Sequence, residues 1–344
     1  MSRPDTVVAV RPTPEDARHW LARDFGITVA DLAETEGGAD PAAVVWRVVD
    51  VDGAVWAAKW TTRRTRTGTR LVAAITATGL DGVPAARLTT DGDARSRRRG
   101  GRLSVTRWSD GQDAATVGLD LDGWRRYGEL LAAVHAHSGQ EPDQRRGARR
   151  GIRRRRRPYR AQLRALDAQA ADPTPPDDDV RRVVLDAWRE ARPRIALLSR
   201  GARLPSAPGA APVPCHGDPH LGNVLVGPDG ALRLIDWDEA VVAPRELDLH
   251  LVEFSVLFRP TGADELAAFR TGYGPVDLDE TLLVRSASVR ALEDLTSSAE
   301  AALTGTAADR AEGLRVFLGV LSPVGSASLV EPRLRAVLGA ADAR

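Results

Sequence analysis

The segment 214–240, PCHGDPHLGNVLVGPDGALRLIDWDEA, gathers its polar side chains in two bursts: His216-Gly217-Asp218 with Asn223, then Asp236 with Asp238. Between the bursts, Gly227-Pro228-Asp229-Gly230 is turn chemistry, and the apolar runs Val224–Val226 and Ala231–Ile235 on either side read as antiparallel strands. Folding the segment about that turn sets Asn223 opposite Leu234 to Asp236. An amide oxygen and a carboxylate then meet at one end of a hairpin. Hard oxygen donors so placed suit Mg²⁺, which takes one or two carboxylates and completes its shell with water and substrate phosphates. Asp218 precedes Asn223 by five positions, on the loop entering the hairpin, where it is free to act as a base.

Other chemistries fit these residues less well. His216 and His220 are spaced i, i+4, but Gly217 and Pro219 oppose the helix that would aim both at one zinc ion. Cys215 beside His216 is a poor thiol–base pair, because neighbours in an extended segment point in opposite directions. A tight hairpin with no chemistry is the remaining alternative.

A second signal lies far upstream. Of 48 basic residues only one, Lys59, is a lysine. Either this is chance, or it marks a place where a compact ammonium is needed and a planar guanidinium will not serve. The kinase catalytic loop has the form H-R-D-x-x-x-x-N, with a metal-binding Asp beyond it and a phosphate-binding Lys on an earlier strand. His216-Gly217-Asp218, Asn223 and Asp236 keep that order and separation, and Lys59 sits on a strand after a Gly-containing turn.

The elements that must position these groups are legible in part. Residues 44–60, VVWRVVDVDGAVWAAKW, read as two strands joined at Asp52-Gly53, with Lys59 on the face of Val55 and Ala57. Upstream, Glu36-Gly37-Gly38-Ala39-Asp40 reads as a flexible turn. Residues 69–79 read as a helix closed by Gly79, and Arg102–Trp108 as a further strand ended by Ser109-Asp110-Gly111. Beyond residue 120 the pattern turns helical: 122–137, a helix near 178–200, then 246–258, 263–271, 278–303 and the tail. His135 and His137 read as packing or capping residues, and residues 145–160 form an arginine-rich tract of the kind usually found on a solvated surface.

With those motifs in view, the chain resembles the aminoglycoside phosphotransferase family of kinase-like enzymes. HGDPHLGNVL followed by LIDWDEAVVAP is similar to its catalytic and metal motifs, and ELDLHL to its buried acidic segment. SVTRWSDG resembles its hinge, and GYGPVDLDETLLVRSASVRALEDL a C-terminal helical segment of the spectinomycin-phosphotransferase-like branch. The resemblance implies an α+β, bilobal, protein-kinase-like fold. It would have a small β-rich N-terminal lobe over residues 1–108 and a larger, mostly helical C-terminal lobe over 109–344, the latter with catalytic loop, metal site and acceptor site. It implies Asp218 as the residue that positions the acceptor hydroxyl and takes its proton, and Asn223 and Asp236 as Mg²⁺ ligands. Lys59 would contact the ATP phosphates, with Gly37 and Gly38 in the loop over them. His216 would brace the loop, and Asp238 and Asp248 would stabilise it through hydrogen bonds.

One departure stands out. The family pairs the strand Lys with a Glu on the first-lobe helix, yet no acidic residue lies between Lys59 and Asp81. Either a carboxylate from elsewhere holds Lys59, or nucleotide binding is weakened.

The whole chain narrows the function class. A net charge of +1 gives no global field toward nucleic acid or a membrane. No uninterrupted apolar run approaches the roughly 18 residues of a membrane span, and the N-terminus lacks the apolar core of a secretory signal. A single cysteine excludes an internal disulfide framework, so the expected setting is the cytoplasm. The leading reading is an ATP- and Mg²⁺-dependent kinase acting on a hydroxyl-bearing small molecule, in the range of aminoglycosides or spectinomycin-like antibiotics. The alternatives are a metabolic kinase for a sugar, choline-like amine or amino alcohol, and, in a different class, a weakly active nucleotide- or RNA-binding protein using the arginine tract. No interleaved aromatics accompany that tract, which argues against RNA. Glu253, Glu293, Asp294 and Glu300 are candidates to receive a cationic acceptor.

Overall fold

The computed structural model describes residues 11–35, 42–63, 66–137, 158–174, 178–205, 211–256 and 259–342. Gly37, Gly38 and the arginine tract at 145–157 lie outside the described residues. By contact the chain divides into two compact units. The first comprises Met1–Gly118, Ala136–Glu141 and His216–Val241; the second comprises Leu119–His135, Pro142–Cys215 and Val242–Arg344. The catalytic-type segment 216–241 thus packs with the N-terminal sheet, whereas a division at residue 108 would assign it to the helical part.

The first unit opens with a helix that the sequence reading did not anticipate, α1 (Pro14–Phe25). Its start is specified locally: Pro14 stands in the first turn, and Thr13 and Asp16 cap each other's backbone N–H groups. Its buried residues Trp20, Leu21 and Phe25 cluster with Trp46, Val48, Ala58, Trp60, Leu103 and Val105 on the sheet behind it. That sheet runs β1 (Val29–Glu34), β2 (Ala43–Asp50), β3 (Val55–Thr61), β6 (Gly101–Arg107) and β4 (Ala86–Arg87), with β5 (Ser96–Arg98) also pairing to β6. The β2–β3 hairpin matches the expectation: Gly53 takes φ +81°, which costs glycine nothing, and Asp50 Oδ1 accepts from the Asp52 and Ala54 amides. β3 is central, paired with β2 on one side and β6 on the other.

Helix α2 (Arg66–Thr76) ends earlier than expected. Gly79, instead of capping it directly, lies in the following turn at φ +76°, its N–H donating to the Thr76 carbonyl (3.1 Å). The helix packs against the short turn Trp237–Glu239, and Gly68 makes this approach feasible. A Cβ there would lie 1.9 Å from the Trp237 carbonyl oxygen. A small second sheet joins strands Gln112–Asp113, Val224–Val226 and Leu232–Leu234. Its register puts Leu234 opposite Val224, and the Ile235 N–H donates to the Asn223 carbonyl (2.9 Å). Asn223 therefore stands where the turn chemistry sets it.

The second unit is helical. Helix Leu121–Ala136 fits its expected span. The helix expected near 178–200 is two, Asp179–Glu190 and Arg192–Gly201, because Pro193 has no N–H to continue the ladder and is tolerated in a first turn. Helix Pro158–Ala171 follows the arginine tract and was not anticipated. Helix Glu246–Glu253 stops short of 258, and Ser255–Val256 pairs with Arg259–Pro260 instead. The 25-residue helix Glu280–Thr304 is the hub, packing on helices 158–171, 179–190, 192–201, 246–253 and 307–321. Small buried residues (Ala287, Ser288, Ala291, Ala299, Ala302) let its neighbours come close. The stretch Ala307–Ala340 has the hydropathy of a membrane span, 1.5. It folds as separate helices, 307–321, 326–329 and 331–342, the longest having 15 residues against the roughly 20 a span requires.

A buried polar chain runs through this unit. The Tyr273 hydroxyl donates to His135 Nδ1 (2.6 Å), and His135 Nε2–H donates to Asp248 Oδ2 (3.0 Å). Asp248 is fully buried, and this bond ties it to the helix that carries His135. Cys215 Sγ comes within 4.8 Å of the His135 and Asp248 ligand atoms, but both imidazole nitrogens are already bonded and the thiol donates to the Ala243 carbonyl (3.5 Å). The cluster is complete as a hydrogen-bond network.

His250, on helix Glu246–Glu253, is buried beside Arg290. Burial, then the Arg290 charge, pushes its pKa down to about 4 against the partial opposition of Asp248. The folded state thus keeps His250 neutral while the unfolded chain protonates it near 6.5. Its contribution to stability is complete above about pH 6.5 and is lost as pH falls from there through about 4, reaching about 2 kcal/mol by pH 4.5. Urea melts at pH 7 and pH 4.5 should therefore show a smaller acid loss in His250→Leu than in the wild-type chain. Equal losses in both would remove His250 as a source of acid lability.

Candidate active site

Lys59 is held in position before any side-chain contact is counted. Its backbone lies in the middle of a three-strand run, opposite Val45 on β2 and Ser104 on β6. Strand alternation buries Ala58 and Trp60 in the core behind the sheet and sends Lys59 to the other face. There Nζ meets two carboxylates, Asp236 Oδ1 at 2.8 Å and Asp238 Oδ2 at 2.9 Å. The Lys59 side chain is 19% exposed and that of Asp238 14%, whereas Asp236 is 44% exposed. Burial works against the Lys59 ammonium, but the two carboxylates outweigh it and hold its pKa above the ordinary value. Burial likewise works against the charged form of Asp236, and Lys59 outweighs it, so this carboxyl is held below the usual range. Lys59 and Asp236 are therefore both charged at neutral pH.

The turn that presents both carboxylates is unusual. Asp236 is left-handed (φ +58°, ψ +71°), one of two described non-glycine residues at positive φ. Asp tolerates this region better than most residues, and its side chain closes the turn by accepting from the Asp238 N–H (3.4 Å). Trp237 anchors the turn inward, its indole N–H donating to the Leu234 carbonyl (2.8 Å) and its ring meeting the edge of His216 at 4.6 Å between centroids.

The loop from His216 to Asn223 is closed on itself and on the hairpin. His216 is fully buried; its Nε2–H donates to the Ile235 carbonyl (2.8 Å), and Nδ1 accepts from the Asp218 N–H (3.3 Å). It is a brace, as its position in the loop implies. Asn223 Nδ2 donates to the Asp218 carbonyl (2.8 Å), which orients the amide and turns its oxygen away from that carbonyl. Asp218 keeps a partly exposed carboxylate, with His220 Nε2 at 3.8 Å from Oδ2. His220 Nδ1 accepts from the Gly222 N–H (3.0 Å), so the ring proton sits on Nε2, the nitrogen nearer Asp218.

Lys59 and Asp236 are thus brought together by the fold although 177 positions separate them. Asp218 and Asn223 are tied to one another, and Asn223 to the residue before Asp236. The sequence reading missed Asp238 as a partner of Lys59 and His220 as a neighbour of Asp218. For Asp238 a signal existed: helix α2 carries no acidic residue, and a strand lysine in need of a counter-ion has to find it elsewhere. For His220 nothing in its spacing gives the side-chain direction, which the short turn Leu221–Asn223 sets.

The donor set fits a hard divalent cation. Asn223 offers an amide oxygen and Asp236 an exposed carboxylate held in its charged form, both hard donors. The four acidic residues considered for a cationic acceptor have other roles where their contacts are described. Glu253 is bonded to Arg270 and Arg333, Asp294 to Arg290, and Glu300 to Gln162.

Comparison with known proteins fits this geometry. The spectinomycin phosphotransferase APH(9)-Ia, in its complex with ADP and spectinomycin, superposes with a TM-score of 0.79 at 19% identity, covering 94% of this chain and 99% of that one. The amicoumacin kinase hAmiN, in complex with AMP-PNP, Ca²⁺ and amicoumacin, gives 0.57 at 16% identity, covering 91% and 95%. A choline/ethanolamine kinase family protein from Mesorhizobium loti gives 0.55 at 17% identity, covering 94% and 99%. No curated protein matches the sequence. These likenesses show a shared kinase-like fold, β-rich in its N-terminal part and mostly helical in its C-terminal part. The model of the phosphotransferase enzyme family, APH, matches residues 55–284, a span running from the strand of Lys59 through both carboxylate turns and into the helical hub. The chain belongs to the phosphotransferase enzyme family.

Proposed function

We propose that this enzyme is an ATP- and Mg²⁺-dependent kinase that transfers the γ-phosphoryl group of ATP to a hydroxyl of a small, spectinomycin- or aminoglycoside-like molecule. The observation that carries the reading is the contact of the strand lysine with the Asp236 turn, beside a loop in which Asn223 is bonded to Asp218. Phosphoryl transfer asks the protein mainly for positioning and for positive charge near the phosphates, and these residues supply both.

In this reading Lys59 turns from Asp236 to the α- and β-phosphates of ATP, its charged state secured by the surrounding carboxylates. Asn223 and Asp236 would hold Mg²⁺, which would supply positive charge against the triphosphate. Asp218 orients the acceptor hydroxyl and takes its proton as the oxygen attacks the γ-phosphorus. The bond from that phosphorus to the bridging oxygen breaks, and ADP leaves with the electron pair. His216 keeps the loop in register through the Ile235 carbonyl, and His220 flanks the Asp218 carboxylate. Such an enzyme works where ATP is made, in the cytoplasm.

The antibiotic-like acceptor is preferred over a choline-like one because the spectinomycin enzyme superposes on this chain with a TM-score of 0.79, against 0.55 for the choline/ethanolamine kinase family protein. The test is ATP turnover against a panel of spectinomycin, aminoglycosides, choline, ethanolamine and sugars, beside RNA binding over a salt series. Turnover with spectinomycin or an aminoglycoside is the expected result. Turnover only with choline or ethanolamine would transfer the enzyme to the metabolic class, and salt-sensitive RNA binding without turnover would end the kinase reading.

Two variants probe the assigned roles. Asp218→Asn removes the proton acceptor while keeping the shape of the side chain, and kcat should fall by about 10²–10⁴-fold with ADP affinity retained. A folded Asn variant with wild-type kcat would take Asp218 out of the base role. Lys59→Arg keeps the charge but replaces a compact ammonium with a planar fork, and steady-state kinetics over an ATP series should show KM for ATP raised about tenfold with little change in Tm. Identical kinetics at every ATP concentration would make the lone lysine an accident of composition.

A further inference from the structure

We infer that Asp238 is the positioning residue that holds Lys59 for nucleotide, in place of the helix carboxylate that α2 lacks. This rests on the kinase reading above and deepens it. Lys59 has two carboxylate partners of different character. Asp236 is the more exposed one, and in the kinase reading its oxygens pass to the metal. Asp238 is 14% exposed, lies 2.9 Å from Nζ, and is directed inward by the turn that Trp237 pins to the Leu234 carbonyl. An ammonium has three donors, so one can stay on Asp238 while the others turn to phosphate oxygens. Without that retained partner, a lysine 19% exposed on a central strand would face the phosphates with its rotamer unfixed.

The helix takes part indirectly. From Arg66 to Thr76 it offers no acid, and it meets the turn backbone through Gly68, so close that a Cβ would touch the Trp237 carbonyl oxygen. The helix thus fixes the turn, and the turn fixes the lysine. Thr69, Arg70 and the other polar residues of α2 cannot supply a negative charge.

Calorimetric titration of the full chain with ADP, in EDTA and in Mg²⁺, separates the two carboxylates. Asp238→Asn should weaken ADP binding on the order of tenfold even in EDTA, because the defect lies in the lysine and not in the metal. Asp238→Glu, which restores the charge, should recover most of that loss. Asp236→Asn should lose the increment that Mg²⁺ adds. The single lysine gives a second readout that needs no variant and no turnover. In the wild-type chain made with ¹⁵N-lysine, the one side-chain ammonium signal should persist when ADP and Mg²⁺ are added, since Asp238 keeps the group ordered and slow to exchange. ADP affinity unchanged by Asp238→Asn in both conditions, or loss of the ammonium signal to solvent exchange in the complex, would overturn the assignment while leaving the kinase reading intact. A wild-type chain that binds no ADP in either condition would instead sink the kinase reading, and the assignment with it.

Discussion

Everything at the candidate site depends on one ammonium placed between two carboxylates. The Lys59–Asp236 and Lys59–Asp238 contacts, at 2.8 and 2.9 Å, join the central strand of the N-terminal sheet to a turn that is remote in sequence. An ion pair of this kind has modest net worth for folding, because desolvating its members offsets much of their attraction. Its value lies in geometry. It fixes where positive charge stands relative to Asn223 and Asp218, and it keeps a carboxylate ionised in a setting where burial alone would favour the neutral form.

The surroundings of that triad are built to hold the Asp236 turn. Asp236 occupies a left-handed conformation that costs a non-glycine residue of order 1 kcal/mol. The turn is over-determined in compensation: Trp237 is bonded to Leu234, His216 reaches across to Ile235, and α2 presses on the turn backbone at Gly68. Local strain held by many contacts keeps charged groups in place when ligand charges change. In the helical unit, a buried chain of hydrogen bonds likewise links Tyr273, His135 and Asp248.

Much of this was legible in the sequence, for identifiable reasons. The hairpin at Asp52-Gly53 and the pairing of Asn223 with Ile235 follow from turn chemistry and period-two alternation, which are local rules. The order Asp218, Asn223, Asp236 carries its meaning in spacing, and the lone Lys59 in composition. What escaped was decided by tertiary contact or by faint local cues. α1 announces itself only through Thr13, Pro14 and Asp16, and its apolar face makes sense only against a sheet that sequence does not display. Asp238 read as an ordinary loop carboxylate because its partner is 179 positions away. The bond from His135 to Asp248 joins residues 113 positions apart and is chosen by the packing of two helices. The grouping of residues 216–241 with the N-terminal sheet follows from the same long-range pairing.

We propose that the Lys59–Asp236 contact marks a nucleotide–metal site. The most direct measurement is a crystal structure of the chain grown with AMP-PNP and Mg²⁺. The expected result is nucleotide bound with its α- and β-phosphates at Lys59 Nζ, the metal shared by Asn223 and Asp236, and the Lys59–Asp236 contact opened from its 2.8 Å. Nucleotide bound elsewhere, with that contact still closed and no metal at Asn223 and Asp236, would contradict the account.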